Sequence, residues 1–218
     1  MSTGTEEYYA QRAAEYDRVY EKPERQSDIA RLGALLREAF EGRDVLDVAA
    51  GTGFWTERFA EVARSVTSCD VNEEPLEIAR ARRPWRGSVT FTTCDAFALY
   101  RLPGRFDAAF VGFFWSHLRL DQLDSFLAGL ISRLEPGATV VLADNRYVEG
   151  SNHPITRTDD EGNSYQQRRL ADGREWEVLK NFPSPEDVEA ALARHRTTAT
   201  IRSMTSFWAA TARTPGGC

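Results

Sequence analysis

Residues 45–60, VLDVAAGTGFWTERFA, constrain the fold of this chain more than any other stretch. An apolar run meets a glycine turn and passes straight into a segment of helical composition. A strand that leaves its sheet and enters a helix so abruptly needs residues without a Cβ at the bend, and Gly51 and Gly53 stand there. Such a turn also lets backbone approach a ligand, so a nucleotide-type cofactor is the first expectation. The alternative is a turn that only packs helix on strand. A dinucleotide fingerprint asks for GxGxxG or GxGxxA, and Thr56 replaces the third small residue, which counts against NAD.

Along the rest of the chain, strand-like apolar runs alternate with segments of helical period, the pattern of a parallel sheet covered by helices. Strands are expected at Asp44–Val48, SVTSCDV, SVTFTTCD, RFDAAFVGFF and ATVVLAD. Helices are expected from about Thr56, over EPLEIARARR, and over DQLDSFLAGLISRLEPG, the last stopped by Pro136 and Gly137. Residues 1–40 read as an N-terminal helical extension, with Ile29, Leu32, Leu35, Leu36 and Phe40 on one helical face. Residues 41–145 read as a cofactor-binding core and 146–183 as a polar, hairpin-like insertion on the substrate side. Residues 184–218 complete the fold with a short helix and two β-rich runs, TTATIRSM and SFWAATA.

The 218 residues, 42% of them hydrophobic, suit one well-packed domain. A net charge of -6 leaves no broad basic surface for phosphate backbones, so nucleic acid is not an expected partner. Cys69, Cys94 and Cys218 are an odd set without CxxC spacing, and no charged start leads into an apolar signal segment; a cytoplasmic protein is expected. No apolar run approaches the roughly 20 residues of a membrane span, so no membrane association is expected.

Asp70 falls at the end of the second strand, where a carboxylate can accept from both hydroxyls of a ribose, and both NAD and adenosyl cofactors satisfy that reading. Asp95 ends the third strand, followed by Ala96 and Phe97, so an acceptor and a ring face can meet an adenine. Each aspartate alone is more often a cap or turn residue. At successive strand ends of an open parallel sheet they converge on one crevice.

With VLDVAAGTG, SCDV, TTCDAF, FDAAFVGFF and LEPGATVVLAD in this order, the sequence resembles the class I S-adenosylmethionine-dependent methyltransferases of the small-molecule type. The resemblance implies a Rossmann-like, doubly wound α/β fold with a seven-stranded sheet whose last strand is antiparallel. It implies S-adenosyl-L-methionine as cofactor, S-adenosyl-L-homocysteine as product, and in-line methyl transfer to an O, N or S atom of a small-molecule acceptor. It puts the methionine end near Asp47, Ala49, Gly51 and Gly53, the ribose on Asp70, and the adenine against Val71, Asp95, Ala96 and Phe97. Gly112 and Phe113 would line the floor. Ala49 departs from the glycine often found there and crowds the turn slightly. The rivals are a non-catalytic adenosyl-cofactor-binding protein and an NAD-dependent oxidoreductase; the latter leaves TTCDAF unexplained.

Tyr9, Tyr16 and Tyr20 fall close to one helical face, either as a lid over cofactor (Tyr16) and substrate (Tyr9, Tyr20) or as a stripe docking the helix to the core. His117 in GFFWSHL is the candidate general base; packing or capping the next helix is its alternative. Trp115, Asp144 and Arg146 are candidate substrate-side residues. Asp144 and Asn145 resemble two ligands of metal-dependent members, but Gly112 and Phe113 stand where a third acid belongs, so no metal is expected. The insertion's six bases could suit an anionic substrate, but its seven acids favour a solvated hairpin. Monomer and homodimer are both open.

Overall fold

The computed structural model describes residues 3–82, 85, 88–170 and 172–216; Cys218 lies outside them. After α1 (Thr3–Arg12), tight 3-10 turns carry the chain through Tyr20 into α2 (Gln26–Phe40). There follow β1 (Asp44–Val48), α3 (Thr56–Phe59), β2 (Ser65–Asp70), α4 (Glu73–Ala81), β3 (Ser88–Thr93) and β4 (Phe106–Gly112). Next come α5 (Leu123–Ser132), β5 (Leu134–Asn145), β6 (Arg157–Thr158), β7 (Ser164–Arg169), β8 (Glu175–Leu179), α6 (Pro185–Arg194), β9 (Thr198–Ser203) and β10 (Phe207–Arg213).

Seven strands form one sheet in the order β3-β2-β1-β4-β5-β10-β9, with β10 antiparallel to both its neighbours. This is the Rossmann-like order with an antiparallel last strand. Side chains alternate across the sheet as the period of a strand requires. Leu46, Val48, Ala109 and Val111 face a layer that includes Phe126, Leu130, Leu192 and Trp208. Val45, Phe110, Val141 and Ala143 face Leu32, Leu36, Phe40, Phe59 and Phe207. Each large side chain buried in this way contributes about 1.5–3 kcal/mol. No helix among the described residues is long and apolar enough to cross a membrane.

Three local expectations are adjusted. The helix after the glycine turn is a single turn, because the chain is drawn at once into β2 by bonds such as Arg64 amide to Arg43 carbonyl at 2.8 Å. Helix α5 ends at Ser132, before Pro136 and Gly137, which lie inside β5; the residue preceding a proline is barred from helical geometry, so the chain has already become extended. The tyrosine segment is no single α-helix, since α1 stops at Arg12. The insertion forms a separate three-stranded antiparallel sheet, β6-β7-β8, and β8 packs on α1.

Candidate active site

The strand order reverses between β1 and β4, and open α/β sheets hold ligands at the carboxyl ends of strands beside such a point. A cleft of about 950 Å3 lies there. Ala49, Gly51 and Gly53 in the turn after β1 all take positive φ, at 56°, 55° and 74°. The two glycines serve different ends. A Cβ on Gly51 would meet no protein atom within 4 Å, so its missing side chain leaves room for a ligand in the cleft it lines. A Cβ on Gly53 would lie 3.0 Å from the Ala79 Cβ, so this glycine allows α4 to pack on the turn. Ala49 keeps its Cβ at positive φ at a cost of about 1–2 kcal/mol.

Asp70 accepts from the amide of Gly51 on one oxygen and from the amide of Asn72 on the other, both at 3.0 Å. Each oxygen retains a second lone pair, and the residue lines the cleft, so it can receive the two hydroxyls of a ribose. Asp95 is exposed and accepts from the amide of Phe97 at 2.9 Å. Val71, Pro75, Ala96 and Phe97 complete an apolar wall suited to a purine.

The N-terminal segment closes over this cleft through several latches. Asn72 Nδ2 donates to the Glu6 carbonyl at 3.0 Å, and Thr52 Oγ1 donates to Asp17 at 2.6 Å. Arg82 forms an ion pair with Asp17, and Trp55 Nε1 donates to the Tyr20 hydroxyl at 3.1 Å. Tyr9, Tyr16 and Tyr20 form an edge-to-face ladder, with ring centroids 5.7 and 5.9 Å apart, and all three line the cleft. Tyr20 also stacks on Phe54 at 3.8 Å, so the same residues dock the segment and face the ligand space. Burial raises the pKa of all three, so their hydroxyls stay protonated.

A buried polar cluster closes the far end. His117 Nδ1 donates to the Leu179 carbonyl at 2.8 Å, which leaves Nε2 as acceptor for the Tyr9 hydroxyl at 2.9 Å. Burial, aided by the Lys180 charge, pushes the His117 pKa down to about 3, so the imidazole is neutral. Lys180 reaches Asp144 at 3.3 Å and Ser116 Oγ at 2.5 Å. Burial alone would raise the Asp144 pKa, but the Lys180 charge and the amides of Ser116 and Asn145 hold it below the usual carboxylate range. Burial lowers the Lys180 pKa, and Asp144 opposes that shift. Among the described residues, no group of three or more His, Cys, Asp or Glu side chains is arranged to hold a metal ion.

A family model described as "Methyltransferase domain" matches residues 45–137. The chain is similar along its full length to DhpI as solved in complex with SAH, at 29% identity, a TM-score of 0.77 and 100% of both chains covered. It is similar to DhpI in complex with SAM and HEP at 28% identity and a TM-score of 0.77, with 98% of this chain and 99% of that one covered. Residues 45–137 carry a methyltransferase domain of the class I S-adenosylmethionine-dependent type. The demethylmenaquinone methyltransferase of Renibacterium salmoninarum is 30% identical over 141 residues, 61% of this chain and 57% of that protein. The match thus spans little more than half the length of that curated relative. S-adenosylmethionine is the cofactor, and the open space at Gly51 and the spare lone pairs of Asp70 fit it.

In this methyltransferase, Tyr16, Ala49, Gly51, Asp70, Val71, Asp95, Ala96, Phe97, Gly112 and Phe113 all line the cleft, as do Tyr9, Tyr20 and His117. Asp47 and Gly53 do not. The Asp47 carboxylate is buried beneath the turn, accepting from Thr56 Oγ1 at 2.6 Å and Ser68 Oγ at 3.2 Å. Burial pushes its pKa up to about 7 against those bonds. Trp115 is buried edge-on against Trp208. Asp144 lies beneath the site, anchoring Ser116 and Lys180, and the Arg146 guanidinium donates to the Met204 carbonyl. A second cavity of about 660 Å3 shares Tyr9, Tyr16, Tyr20 and Phe113 with the cleft and is lined beyond them by Arg12, Arg25 and Arg168, of which the sequence offered only Arg168, as one of the insertion's six bases.

Proposed function

We propose that this protein transfers the methyl group of S-adenosylmethionine to a small-molecule acceptor that enters through the second cavity and meets the cofactor at the tyrosine ladder. The observation that carries the reading is the pair of cavities sharing Tyr9, Tyr16, Tyr20 and Phe113 as a common wall, one cavity carrying Asp70 and Asp95 and the other distinct in its lining. When bound, the cofactor supplies an electrophilic methyl on a sulfonium. The chain's share is to hold the cofactor's ribose on Asp70, to exclude water with residues 3–20, and to orient the acceptor against the ladder. His117 Nε2, neutral and bonded to the Tyr9 hydroxyl, is a weak base as it stands, so its first part is to hold Tyr9, and it can take a proton from an acceptor only once Tyr9 is displaced. That DhpI is solved with SAM and HEP together supports room for a second ligand in a chain of this shape.

Calorimetric titration with S-adenosylmethionine, S-adenosylhomocysteine and NAD tests the reading before any acceptor is known. Micromolar binding of the adenosyl ligands, lost in Asp70→Ala, is the expected result. Failure of both to bind overturns the reading, and binding of NAD instead would assign the cleft to hydride chemistry.

A further inference from the structure

We infer that the second cavity binds the methyl acceptor through an oxyanion group, of carboxylate or phosphate type, gripped by Arg25, Arg168 and Arg12; this rests on the reading of the cofactor cleft just given. Among the described residues the cavity is lined by Arg12, Lys22, Arg25, His153, Arg168 and Lys180, and by no aspartate or glutamate. The chain as a whole has more acids than bases, 33 against 27, so the absence of acid here is a local feature and not a consequence of composition.

Among the described residues these three arginines make no ion pair, and Glu24 acts on Arg25 only through space. Arg25 is only 7% exposed, yet among the described residues its guanidinium makes no hydrogen bond or ion pair, and its buried Nε has no partner. Its one neighbour of note is the face of Phe207, 5.7 Å away. Arg168 donates to the neutral Gln166 side chain at 2.6 Å and leaves a buried Nε unpartnered as well. Arg12 lies over the rings of Tyr8 and Tyr16, at 5.7 and 5.8 Å, with no carboxylate partner among the described residues. Burying an arginine without an anion is costly, and planar guanidinium forks match the oxygens of carboxylate and phosphate. Glu24, which acts on Arg25 through space, lies 4.0 Å from Lys22, and Asp144 is engaged with Lys180. The field is felt by neighbours. Burial lowers the His153 pKa, and Arg168, Arg12 and Lys22 lower it further. A neutral acceptor gains nothing from such a lining, whereas an anionic one supplies the missing partner and is drawn toward the tyrosine ladder.

The test is calorimetric titration of inorganic phosphate, and separately acetate, into the protein saturated with S-adenosylhomocysteine. Saturable binding of at least one of them is expected, and the tighter of the two identifies the kind of oxyanion. Arg25→Gln and Arg168→Gln should each weaken that binding about tenfold or more while S-adenosylhomocysteine affinity stays within about twofold. Arg25→Lys should recover part of it. Arg168 is half-buried, so its variant keeps the test valid if Arg25→Gln fails to fold. If S-adenosylhomocysteine binds but neither anion does, or if the arginine variants leave anion binding unchanged, the inference fails and the cofactor reading stands. If S-adenosylhomocysteine itself does not bind, both fail together.

Discussion

Adding one methyl group at each of two glycines separates ligand contact from packing. Gly51→Ala places a Cβ at φ 55° where no protein atom lies within 4 Å. Its cost to the fold is therefore the left-handed backbone alone, about 1–2 kcal/mol, and Ala49 at φ 56° shows that this turn already carries one such residue. In a chain of this size that lowers the melting midpoint by about 2–8 °C. The new methyl, however, occupies the space that the cofactor's backbone approach requires, and S-adenosylhomocysteine affinity should fall about tenfold or more. Gly53→Ala carries the same backbone cost at φ 74° and adds a contact at 3.0 Å to the Ala79 Cβ. Overpacking of that kind adds about 1–3 kcal/mol, for a total near 2–5 kcal/mol. Urea unfolding and calorimetric titration on both variants are the assays. A Gly51→Ala protein that binds S-adenosylhomocysteine like the parent refutes the placement of ligand at this turn. Equal stability of the two variants refutes the assignment of Gly53 to helix packing.

Three further outcomes are expected. In the folded chain Asp47 holds a proton up to about pH 7, against a usual value of 3.8, so the unfolded state binds fewer protons in between and stability falls as pH rises across that window by about 1.4 kcal/mol per unit. Asp47→Asn removes the slope, and urea unfolding at pH 5 and pH 8 should show the variant gaining on the parent at the higher pH; a constant difference refutes the buried, protonated carboxyl. Asp17→Asn weakens the half-exposed latch to Arg82 and should change stability by less than about 1 kcal/mol while speeding S-adenosylhomocysteine release about tenfold in stopped flow; an unchanged release rate refutes the lid. Lys180→Met leaves the fully buried Asp144 without its counter-charge and should cost about 3–5 kcal/mol in denaturant, with Lys180→Met combined with Asp144→Asn recovering much of it; additivity of the two changes refutes their pairing.

Much of the cofactor side was legible because it is written in strand ends. A run of apolar residues closing on aspartate, as at Asp70 and Asp95, places a carboxylate at the crevice wherever the sheet is parallel, and the structure puts both on the cleft. Asp47 misleads for a related reason. The sequence shows an acid near the end of a strand but not which side of the sheet it faces, and here Thr56 and Ser68 hold it underneath. The acceptor side was much less legible. Arg25 stands in KPERQ, a polar run that carries no sign of burial, yet it is buried with its guanidinium 5.7 Å from the Phe207 ring. In the insertion, charge counting gave six bases against seven acids and a solvated hairpin. That reading holds for Arg157, paired with Glu177, and for Arg174, paired with Asp172. Arg168 and Lys180 line the second cavity instead. One trace of this was present: Lys180 directly follows Val178 and Leu179, an apolar pair that carries the strand end into the interior.

The neutral imidazole and the cationic cavity belong to one argument. A general base works best when its pKa lies near the working pH, and His117, driven far below that range and already receiving the Tyr9 hydroxyl, is a weak one as the structure stands. An enzyme that accepts protonated nucleophiles has reason to keep its histidine free of nearby cations. Here Lys180 sits 3.5 Å from His117 Nε2 and Arg168 adds to the same field. Burial disables the base first and these charges add to it, and the same charges favour an acceptor that arrives as an anion, which needs no proton removed. His117 then serves chiefly to hold Tyr9, and through it the lid, against the wall that the two cavities share.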